Sequence, residues 1–221
     1  MTERSTTASA SLQRLPQYLA YLKVQQKMGA TSISSTRIAG DMHLTSIQVR
    51  KDLAMASKAG RPKTGYPLDT LIADLERFLG YHNAHDAFLV GAGKLGRALL
   101  GYEKFAEYGL SILAAFDVDP EIVGREVAGK PVFPMEKFSN LASRMKVRLG
   151  ILTVPEAVAQ SVCDEMTAGG IRAIWNFSGV HLQVPEGIIL QNENMAASFA
   201  VLSNRLAKAL RQDATEGGLG T

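Results

Sequence analysis

Residues 87–100 read AFLVGAGKLGRALL and place a short apolar run directly before a glycine-rich turn and a helical stretch. Four consecutive apolar residues are typical of a strand that is buried on both faces of a parallel sheet. The turn fits the G-x-G-x-x-G pattern, whose glycines permit a tight turn, close backbone approach to a pyrophosphate, and packing of the helix on the sheet. The sequence therefore predicts a nucleotide-binding loop made of six consecutive residues: Gly91, Ala92, Gly93, Lys94, Leu95 and Gly96.

The next predicted strand, residues 111–116, ends at Asp117. A carboxylate at that strand end accepts hydrogen bonds from ribose hydroxyls and repels a 2′-phosphate, so the pattern favours NAD(H) over NADP(H). The alternative is a glycine turn followed by a solvated aspartate. Later strands end near Thr153, Pro155 and Asn176, which makes these residues candidates for the ligand-binding edge of the sheet. The preference of proline for the first position of a helix explains Pro155 equally well, and a plain turn explains Asn176 equally well.

Strand and helix patterns alternate through the rest of this segment. Such alternation indicates an α/β fold with a doubly wound parallel sheet of the Rossmann type, which we assign to residues 81–193. A last amphipathic helix from Asn194 to Gln212 opens a third segment, residues 194–221, whose final residues we expect to fray. The further strands are predicted near 131–133, 147–153, 171–176 and 188–190, and helices near 97–108, 135–145 and 155–168.

The first 80 residues have a different pattern, which we assign to a winged helix-turn-helix domain. Three helices precede a glycine- and proline-containing basic loop, residues 58–67, and a fourth helix follows the loop. Residues 1–10 are predicted to be a mobile tail, and Pro16 is compatible with the first helix only in its first turn. Thr45 is the N-cap of the third helix, whose inward apolar positions are predicted to be Ile47, Val49, Leu53 and Met55. The helices are predicted over 12–28, from Ser34 or Ser35 to Gly40, over 46–57 and over 68–79.

Basic residues concentrate in this N-terminal part. It holds 11 basic and six acidic residues, a surplus of five positive charges, whereas residues 81–221 carry two more negative than positive charges. A glutamine can pair with adenine, and arginine or lysine with guanine edges or phosphates, so a helix that presents such residues suits DNA recognition. The alternative is a charged helix face that is simply solvated. The candidate DNA-binding residues are Gln48, Arg50 and Lys51 on the third helix, and Lys58, Arg61 and Lys63 in the loop.

Composition excludes several classes of protein. Apolar residues make up 46% and charged residues 20% of the 221 residues, which is typical of a globular protein and not of a disordered one. No apolar run is long enough to span a membrane, and the N-terminus lacks a secretory pattern, so we expect a cytoplasmic protein without a membrane partner. The lone Cys163 is interpreted as a core residue, and His82 and His85 as surface residues, so no metal site is predicted.

The chain resembles the Rex family of redox-sensing transcriptional repressors over roughly residues 11–210. The resemblance implies a homodimer in which the C-terminal helix of each subunit is swapped into its partner. It also implies that NADH releases operator DNA, the double-stranded partner, while NAD⁺ permits binding. The most specific stretches are QVRKDL (48–53), LVGAGKLGRALL (89–100), AAFDVDPE (114–121), ILTVP (151–155) and GIRAIWNF (170–177).

The same resemblance points to switch and dimer residues. Many members couple an arginine on the first helix, a tyrosine after the glycine-loop helix and an aspartate before the last helix. Tyr102 matches the tyrosine, whereas Ala20 and Asn194 stand at the two charged positions, so the ionic part of that switch is missing here. The aromatic residue that the family places near the nicotinamide is Met195, and Phe199 follows it on the same helix stripe.

Two other classes of function remain as alternatives. The first is an NAD-dependent oxidoreductase with an N-terminal helical extension. It would need a proton donor near the nicotinamide, yet no tyrosine begins a Tyr-x-x-x-Lys pair, and His181 is the only histidine near a strand end of the sheet domain. The second is a nucleotide-binding structural module, which leaves the basic loop unexplained. We therefore predict a repressor and not an enzyme.

Overall fold

The computed structural model describes residues 3–83 and 85–216, with side chains for 10–83 and 85–211. The chain divides into two units. The first comprises Met1–Ala84 together with Glu107–Gly109, and the second comprises His85–Ala106 together with Leu110–Thr221. No helix in the described part of the chain is both long enough and apolar enough to cross a membrane.

The first unit packs helices around one apolar core and adds a two-stranded antiparallel sheet. Leu15, Tyr18 and Leu22 of the first helix are fully buried, as are Leu71 and Leu75 of the last. That last helix ends as predicted, because Gly80 adopts the left-handed conformation that closes a helix without a Cβ clash. The elements are α1 (Glu3–Lys27), β1 (Ser32–Ile33), α2 (Ser35–Asp41), α3 (Ser46–Leu53), β2 (Tyr66–Pro67) and α4 (Leu68–Leu79).

Helix α1 is longer than predicted. It begins at Glu3, so residues 3–10 belong to a helix and Pro16 lies in its interior and not in its first turn. An interior proline removes a hydrogen bond and costs about 3 kcal/mol. The helix continues because Leu15, Tyr18 and Leu19, on either side of the proline, are buried in the core and hold this turn in place.

Helix α3 is shorter than predicted, and two of its four predicted inward residues face elsewhere. It ends at Leu53, and Met55 lies beyond it. Ile47, predicted to face inward, is 72% exposed. Val49 and Leu53 are buried as predicted. The third buried residue is Asp52, which was not expected to face inward and finds polar partners in α1. A pattern that counts only apolar residues therefore misses Asp52 and places Ile47 on the buried face.

The second unit confirms the predicted Rossmann-type fold. Its seven-stranded sheet has the order β5-β6-β4-β3-β7-β8-β9, and neighbouring strands are parallel except for β5 and β6. The strands are β3 (His85–Val90), β4 (Leu110–Asp117), β5 (Glu126–Val127), β6 (Lys130–Pro134), β7 (Leu149–Leu152), β8 (Ala173–Asn176) and β9 (Ile189–Asn192). The helices are α5 (Lys94–Leu100), α6 (Phe138–Met145), α7 (Glu156–Ala168) and α8 (Met195–Glu216).

Strand β3 is central because both of its faces are buried. Phe88 belongs to one apolar cluster and Leu89 to another, on opposite faces of the sheet. Phe88 contacts Phe116 and Phe138, with ring centroids 4.9 and 6.0 Å away. Burial raises the pKa of the Cys163 thiol, which lies in the Phe88 cluster as predicted. This packing fixes the strand ends from which the candidate site is built.

The helix that follows the glycine loop is shorter than predicted. It ends at Leu100, and a 3₁₀ helix, Glu103–Tyr108, replaces its last turns. Gly101, a residue type with low helix propensity, is the C-cap. At the other end of the unit, α8 extends beyond Gln212 to Glu216. The rest of the predicted frayed tail, 217–221, lies outside the described residues.

Candidate nucleotide cleft and DNA-binding face

The glycine loop joins β3 to α5, and at two of its three glycines a side chain cannot fit. Gly91 has a φ of +98°, and a Cβ there would lie 2.9 Å from the Thr153 carbonyl. At Gly96 a Cβ would lie 2.0 Å from the Gly91 oxygen, so the third glycine lets α5 pack against the loop. A Cβ at Gly93 would meet no atom within 4 Å. The space beside Gly93 is open, as close approach of a pyrophosphate requires.

A cleft of about 640 Å³ lies at the carboxyl ends of β3, β4 and β7. This is the edge of an open parallel sheet at which ligands bind, and the volume lies within the range of small-molecule sites. Of the predicted residues, Gly91, Ala92, Gly93, Asp117, Thr153 and Pro155 line it. The cleft residues that sequence reasoning missed include Arg97, Val118, Asp119, Ile122, Met135, Val158, Ser161, Val162 and Glu165.

Asp117 ties the glycine loop to the end of β4. Its Oδ2 accepts a hydrogen bond from the Ala92 N–H at 2.6 Å, and its Oδ1 accepts from the Val118 and Asp119 N–H groups at 2.7 and 3.0 Å. Three backbone donors make it an ordered carboxylate and not a merely solvated one. It therefore carries a fixed negative charge at the mouth of the cleft.

Two further side chains hold the loop. The Arg97 Nε donates to the Ala92 carbonyl at 3.0 Å, so the backbone of Ala92 is bound on both its N–H and its C=O sides. The Thr153 hydroxyl lies 2.7 Å from the Gly91 carbonyl and 3.0 Å from that of Val90, and it donates towards them. The loop is thus ordered by the chain's own residues, which is a preorganised arrangement for a ligand.

Four predicted cofactor residues do not line this cleft: Lys94, Leu95, Gly96 and Asn176. Asn176 is 1% exposed, and its amide nitrogen donates to the Val180 carbonyl and to Asn192 Oδ1, each at 2.8 Å. Its amide oxygen accepts from both the backbone and the hydroxyl of Ser178. The side chain therefore fastens β8 to the segment before α8 through hydrogen bonds to other groups of the protein.

In the first unit, a buried ion pair fixes α3 against α1. Arg14 binds the Asp52 carboxylate through two nitrogens, at 2.7 and 2.9 Å, and the Tyr18 hydroxyl donates to it at 2.8 Å. Burial alone would raise the pKa of Asp52, but hydrogen bonds from Arg14, Ser11 and Tyr18 hold that pKa below its ordinary value. Burial and the bond to Asp52 raise the pKa of Tyr18 to about 12.

Replacing Asp52 by alanine should destabilise the first unit strongly. Arg14 is only 22% exposed and would lose its partner, a change that costs about 3–5 kcal/mol for a buried pair. The expected result in urea is an earlier loss of helical circular dichroism. The control is Arg77→Ala, which removes the exposed pair with Asp74 and should cost less than about 1 kcal/mol. Equal effects of the two variants would contradict the assignment.

The same pair predicts acid sensitivity. Because the folded-state pKa of Asp52 is lowered, its contribution to stability is present above the unfolded pKa of about 3.9. It is lost as the pH falls through the folded-state value. Urea midpoints measured from pH 6 down to pH 3 should therefore converge for the wild type and the Asp52→Ala variant. Parallel curves over that range would show that Asp52 is not the titrating group.

Helix α3 presents a basic outer face. Thr45 caps it as predicted, accepting from the Gln48 N–H at 3.2 Å. Arg50 and Lys51 are exposed, and Gln48 is half-buried. The Arg50 Nε donates to the Ser46 carbonyl at 3.3 Å, so the guanidinium lies back along the helix towards its first turn.

The basic loop ends in a tight hairpin. The Arg61 and Gly65 backbones exchange hydrogen bonds at 2.8 and 3.0 Å, which leaves Lys63 at the tip with a φ of +65°. A Cβ at Gly65 would lie 2.3 Å from the Ile33 carbonyl, so this position requires glycine. Arg61, Lys63 and the predicted Lys58 are all exposed.

The hairpin and α3 meet at a shared surface. A cleft of about 480 Å³ is lined by Arg50 of α3, by Arg61 and Lys63 of the hairpin, and by the start of α2. Three of the six predicted DNA-binding residues are therefore neighbours. Serine and threonine hydroxyls at the start of α2 add hydrogen-bond donors of the kind that contact phosphates: Ser34, Ser35 and Thr36.

Helix α8 carries an apolar stripe that the described part of its own chain leaves uncovered. Asn194 is its N-cap, accepting from the Ala197 N–H at 2.8 Å. The Trp175 indole donates to Glu193 at 2.9 Å, which anchors the base of the helix to β8. The stripe is 57–68% exposed and consists of Met195, Phe199, Leu202, Leu206 and Leu210. Tyr102 is 47% exposed and packs against Phe105, with ring centroids 4.8 Å apart.

A winged helix-turn-helix unit with a basic face, joined to a Rossmann unit with a strand-end cleft, defines the class of nucleotide-responsive DNA-binding proteins. Residues 7–54 match the family described as "Putative DNA-binding protein N-terminus", and residues 82–180 match the CoA binding domain family. The redox-sensing transcriptional repressor Rex of Bacteroides fragilis is 44% identical over 196 residues, 89% of each chain. Rex of Treponema denticola is 41% identical over 202 residues, 91% of this chain and 96% of that protein.

Solved structures agree with these relatives. The crystal structure of RSP in complex with β-NAD⁺ and operator DNA is 31% identical, with a TM-score of 0.86, and covers 96% of this chain and 98% of its own. The crystal structure of RSP in complex with β-NADH is also 31% identical, with a TM-score of 0.84, and covers 94% of this chain and 97% of its own. The chain belongs to the Rex family of redox-sensing transcriptional repressors.

Proposed function

We propose that this protein is a redox-sensing transcriptional repressor that binds operator DNA as a homodimer and releases it when NADH occupies the cleft of each Rossmann unit. NAD⁺ permits DNA binding. The observation that carries the proposal is the cleft at Asp117 in a chain whose other unit presents Arg50 and Lys51 on a capped helix. The RSP complexes with NAD⁺ and operator DNA and with NADH support the same pairing of ligands.

The residues of the cleft suit an adenine dinucleotide. Gly93 leaves room for the pyrophosphate, and Asp117 receives the ribose hydroxyls as well as the Ala92 N–H. Ile122, Val158 and Val162 supply apolar walls for a flat base. NADH and NAD⁺ differ in the charge and planarity of the nicotinamide ring, which is the property that such a sensor must detect.

Replacing Asp117 tests the nucleotide preference. Asp117→Asn removes the charge and keeps an acceptor for the loop, whereas Asp117→Ser removes both. Both variants should narrow the preference for NAD(H) over NADP(H) by about tenfold or more, because repulsion of the 2′-phosphate disappears. The serine variant should also bind NADH more weakly. Calorimetry with both cofactors measures this, and an unchanged preference in both variants would show that Asp117 does not face the ribose.

Dimerisation follows from the exposed stripe on α8. Five large apolar side chains on one helix face require a partner, and a second copy provides the same stripe by symmetry. We propose that α8 is swapped into the other subunit, where Met195 and Phe199 approach the nicotinamide region. Tyr102 takes part in the switch through neutral contacts, since Ala20 and Asn194 supply no ion pair. In this chain Asn194 acts as the cap of α8.

The test of the whole proposal is a gel-shift titration on a DNA fragment from upstream of a regulated gene. NADH should release the protein and NAD⁺ should not. The alternative, an NAD-dependent oxidoreductase, predicts NADH consumption with simple ketones and no salt-sensitive retention on DNA. We propose that the protein senses the nicotinamide and does not turn it over. Turnover without DNA binding would overturn the proposal.

A further inference from the structure

Ile47 is an apolar residue on the exposed, basic face of α3. It is 72% exposed on α3, a helix of eight residues whose inward positions are buried. Burial of an isoleucine is favourable, so an isoleucine on the outside gains nothing from the fold of this unit. A lone exposed apolar residue needs no explanation in general, but the position of this one within the basic face is informative.

Ile47 shares its helix face with the two exposed basic residues of α3. Residues three and four apart are neighbours on a helix, so Ile47 lies one turn before Arg50 and Lys51. It is also the second residue of α3, which begins at Ser46 after the N-cap residue Thr45. The N-terminal residues of a recognition helix are those that contact base edges in the major groove.

The chemistry of the major groove leaves one partner for such a side chain. Base edges there present hydrogen-bond donors and acceptors, and the apolar group among them is the C5-methyl of thymine. A β-branched apolar side chain cannot pair with the polar groups but can cover that methyl. Gln48, the next residue, suits adenine, which is the partner of thymine in an A·T pair.

We infer that Ile47 is a specificity-determining residue that reads a thymine methyl in each operator half-site. The inference rests on the proposed function, since it requires α3 to enter the major groove. Arg50 and the hairpin lysine, Lys63, which line one cleft, set the depth and register of the helix by contacting the DNA beside it. Ile47 then selects thymine at one position by excluding water from its methyl group.

The experiment compares thymine with deoxyuridine, which differs from it only by the absent methyl. Full-length protein with NAD⁺ selects duplexes from a pool that carries two randomised half-sites as an inverted repeat. The enriched duplex is then synthesised with one thymine at a time, in both half-sites, replaced by deoxyuridine. Affinities are measured for the wild type, Ile47→Ala, Ile47→Val and Met28→Ala. Met28 is the control, because it is 74% exposed in the same unit and lies outside α3.

At one thymine per half-site, deoxyuridine should weaken wild-type binding about fourfold for each half-site, the factor for one methyl group removed from water. Ile47→Ala should bind the two duplexes equally, and Ile47→Val should retain part of the difference. Met28→Ala should retain all of it.

Three outcomes would overturn the inference and leave the repressor intact, of which two concern the methyl effect. In one, the wild type binds thymine and deoxyuridine duplexes equally at every position. In the other, Ile47→Ala discriminates between them as well as the wild type does. A change in the oligomeric state of Ile47→Ala, with the methyl effect unaltered, would assign the residue to a protein contact and would also overturn it. Failure to enrich any sequence would overturn the proposed function itself.

Discussion

Replacing Arg50 and Lys51 together by alanine should reduce operator affinity by at least about a hundredfold and leave NADH affinity unchanged. Both side chains are exposed on the outer face of α3, and Arg50 also lines the cleft beside the hairpin. If both bind phosphates, each dimer loses four contacts, and the slope of log affinity against log salt should fall by about four. If either reads a base, the loss is about 1–3 kcal/mol per contact and depends on sequence.

The matched control removes two exposed positive charges from the Rossmann unit, through Lys104→Ala and Arg144→Ala. It changes the net charge equally and should affect operator binding only slightly. Gel shifts at several salt concentrations compare the operator affinities of the two proteins, and calorimetry measures whether each binds NADH with wild-type affinity. Wild-type operator affinity in the Arg50 and Lys51 double variant would rule out α3 as the recognition helix.

The parts of the fold that the sequence predicted well are those decided by local chemistry. In the glycine loop, backbone geometry at Gly91 and close contact at Gly91 and Gly96 leave little choice of residue, and the loop fixes β3, α5 and the strand-end edge together. Thr45 and Gly80 mark helix ends because capping and left-handed geometry depend on one residue each. These signals need no knowledge of the partner elements.

The errors arose where a tertiary partner decides the outcome. Asp52 is buried because Arg14 and Tyr18, more than 30 residues earlier, satisfy it. A pattern that assigns charged residues to the surface therefore turned Ile47 inward. The core contacts of Leu15 likewise allow α1 to continue through Pro16. In each case the residue's own preference is weaker than the contacts that the rest of the unit supplies.

In the candidate cleft too, some residues could be predicted from local signals and others depend on tertiary contacts. Residues at strand ends could be predicted, because the switch-point rule states where a parallel sheet binds ligands. The wall formed by α7 was missed, although Val158 and Val162 are four residues apart and so lie on one helix face. Arg97 gave a weaker signal, since only the structure shows its Nε bonded to the Ala92 carbonyl. A cofactor-binding role for Asn176 remains a prediction, and its amide nitrogen donates to Val180 and Asn192 in this structure.

The hydrogen bonds around Asn176 also connect the sheet to α8. Asn176 Nδ2 binds Asn192, the Asn176 carbonyl accepts from the Glu193 N–H at 2.9 Å, and Trp175 binds the Glu193 side chain. Two consecutive residues of β8 thus hold the base of α8. Strand β8 pairs with β7, and the residues that follow β7 line the cleft. A helix anchored in this way projects its stripe in a defined direction, which is what a subunit interface requires.

Deleting residues 194–221, or placing Asp at both Phe199 and Leu206, should therefore convert the dimer into monomers or aggregates. Burial of a large apolar side chain is worth about 1.5–3 kcal/mol, so four buried charges per dimer should raise the dissociation constant by several orders of magnitude. Two DNA-binding units must be held one helical turn or a multiple, about 34 Å, apart to read an inverted repeat. The variants should keep only weak, salt-sensitive DNA binding through the phosphate contacts of a single unit.

The control for the double variant is Ala197→Asp with Asn204→Asp, which adds the same charge to the opposite face of α8. At 3.6 residues per turn, these two positions lie on the side away from the stripe, and both are exposed. This control should remain dimeric and should respond to NADH. Light scattering measures mass, and gel shifts measure affinity with and without NADH. A well-folded dimer with full operator affinity and full NADH response after deletion of residues 194–221 would refute the crossing of α8 between subunits. In that case the stripe would need another partner, and the spacing of the two recognition helices would have to be set by the Rossmann units themselves.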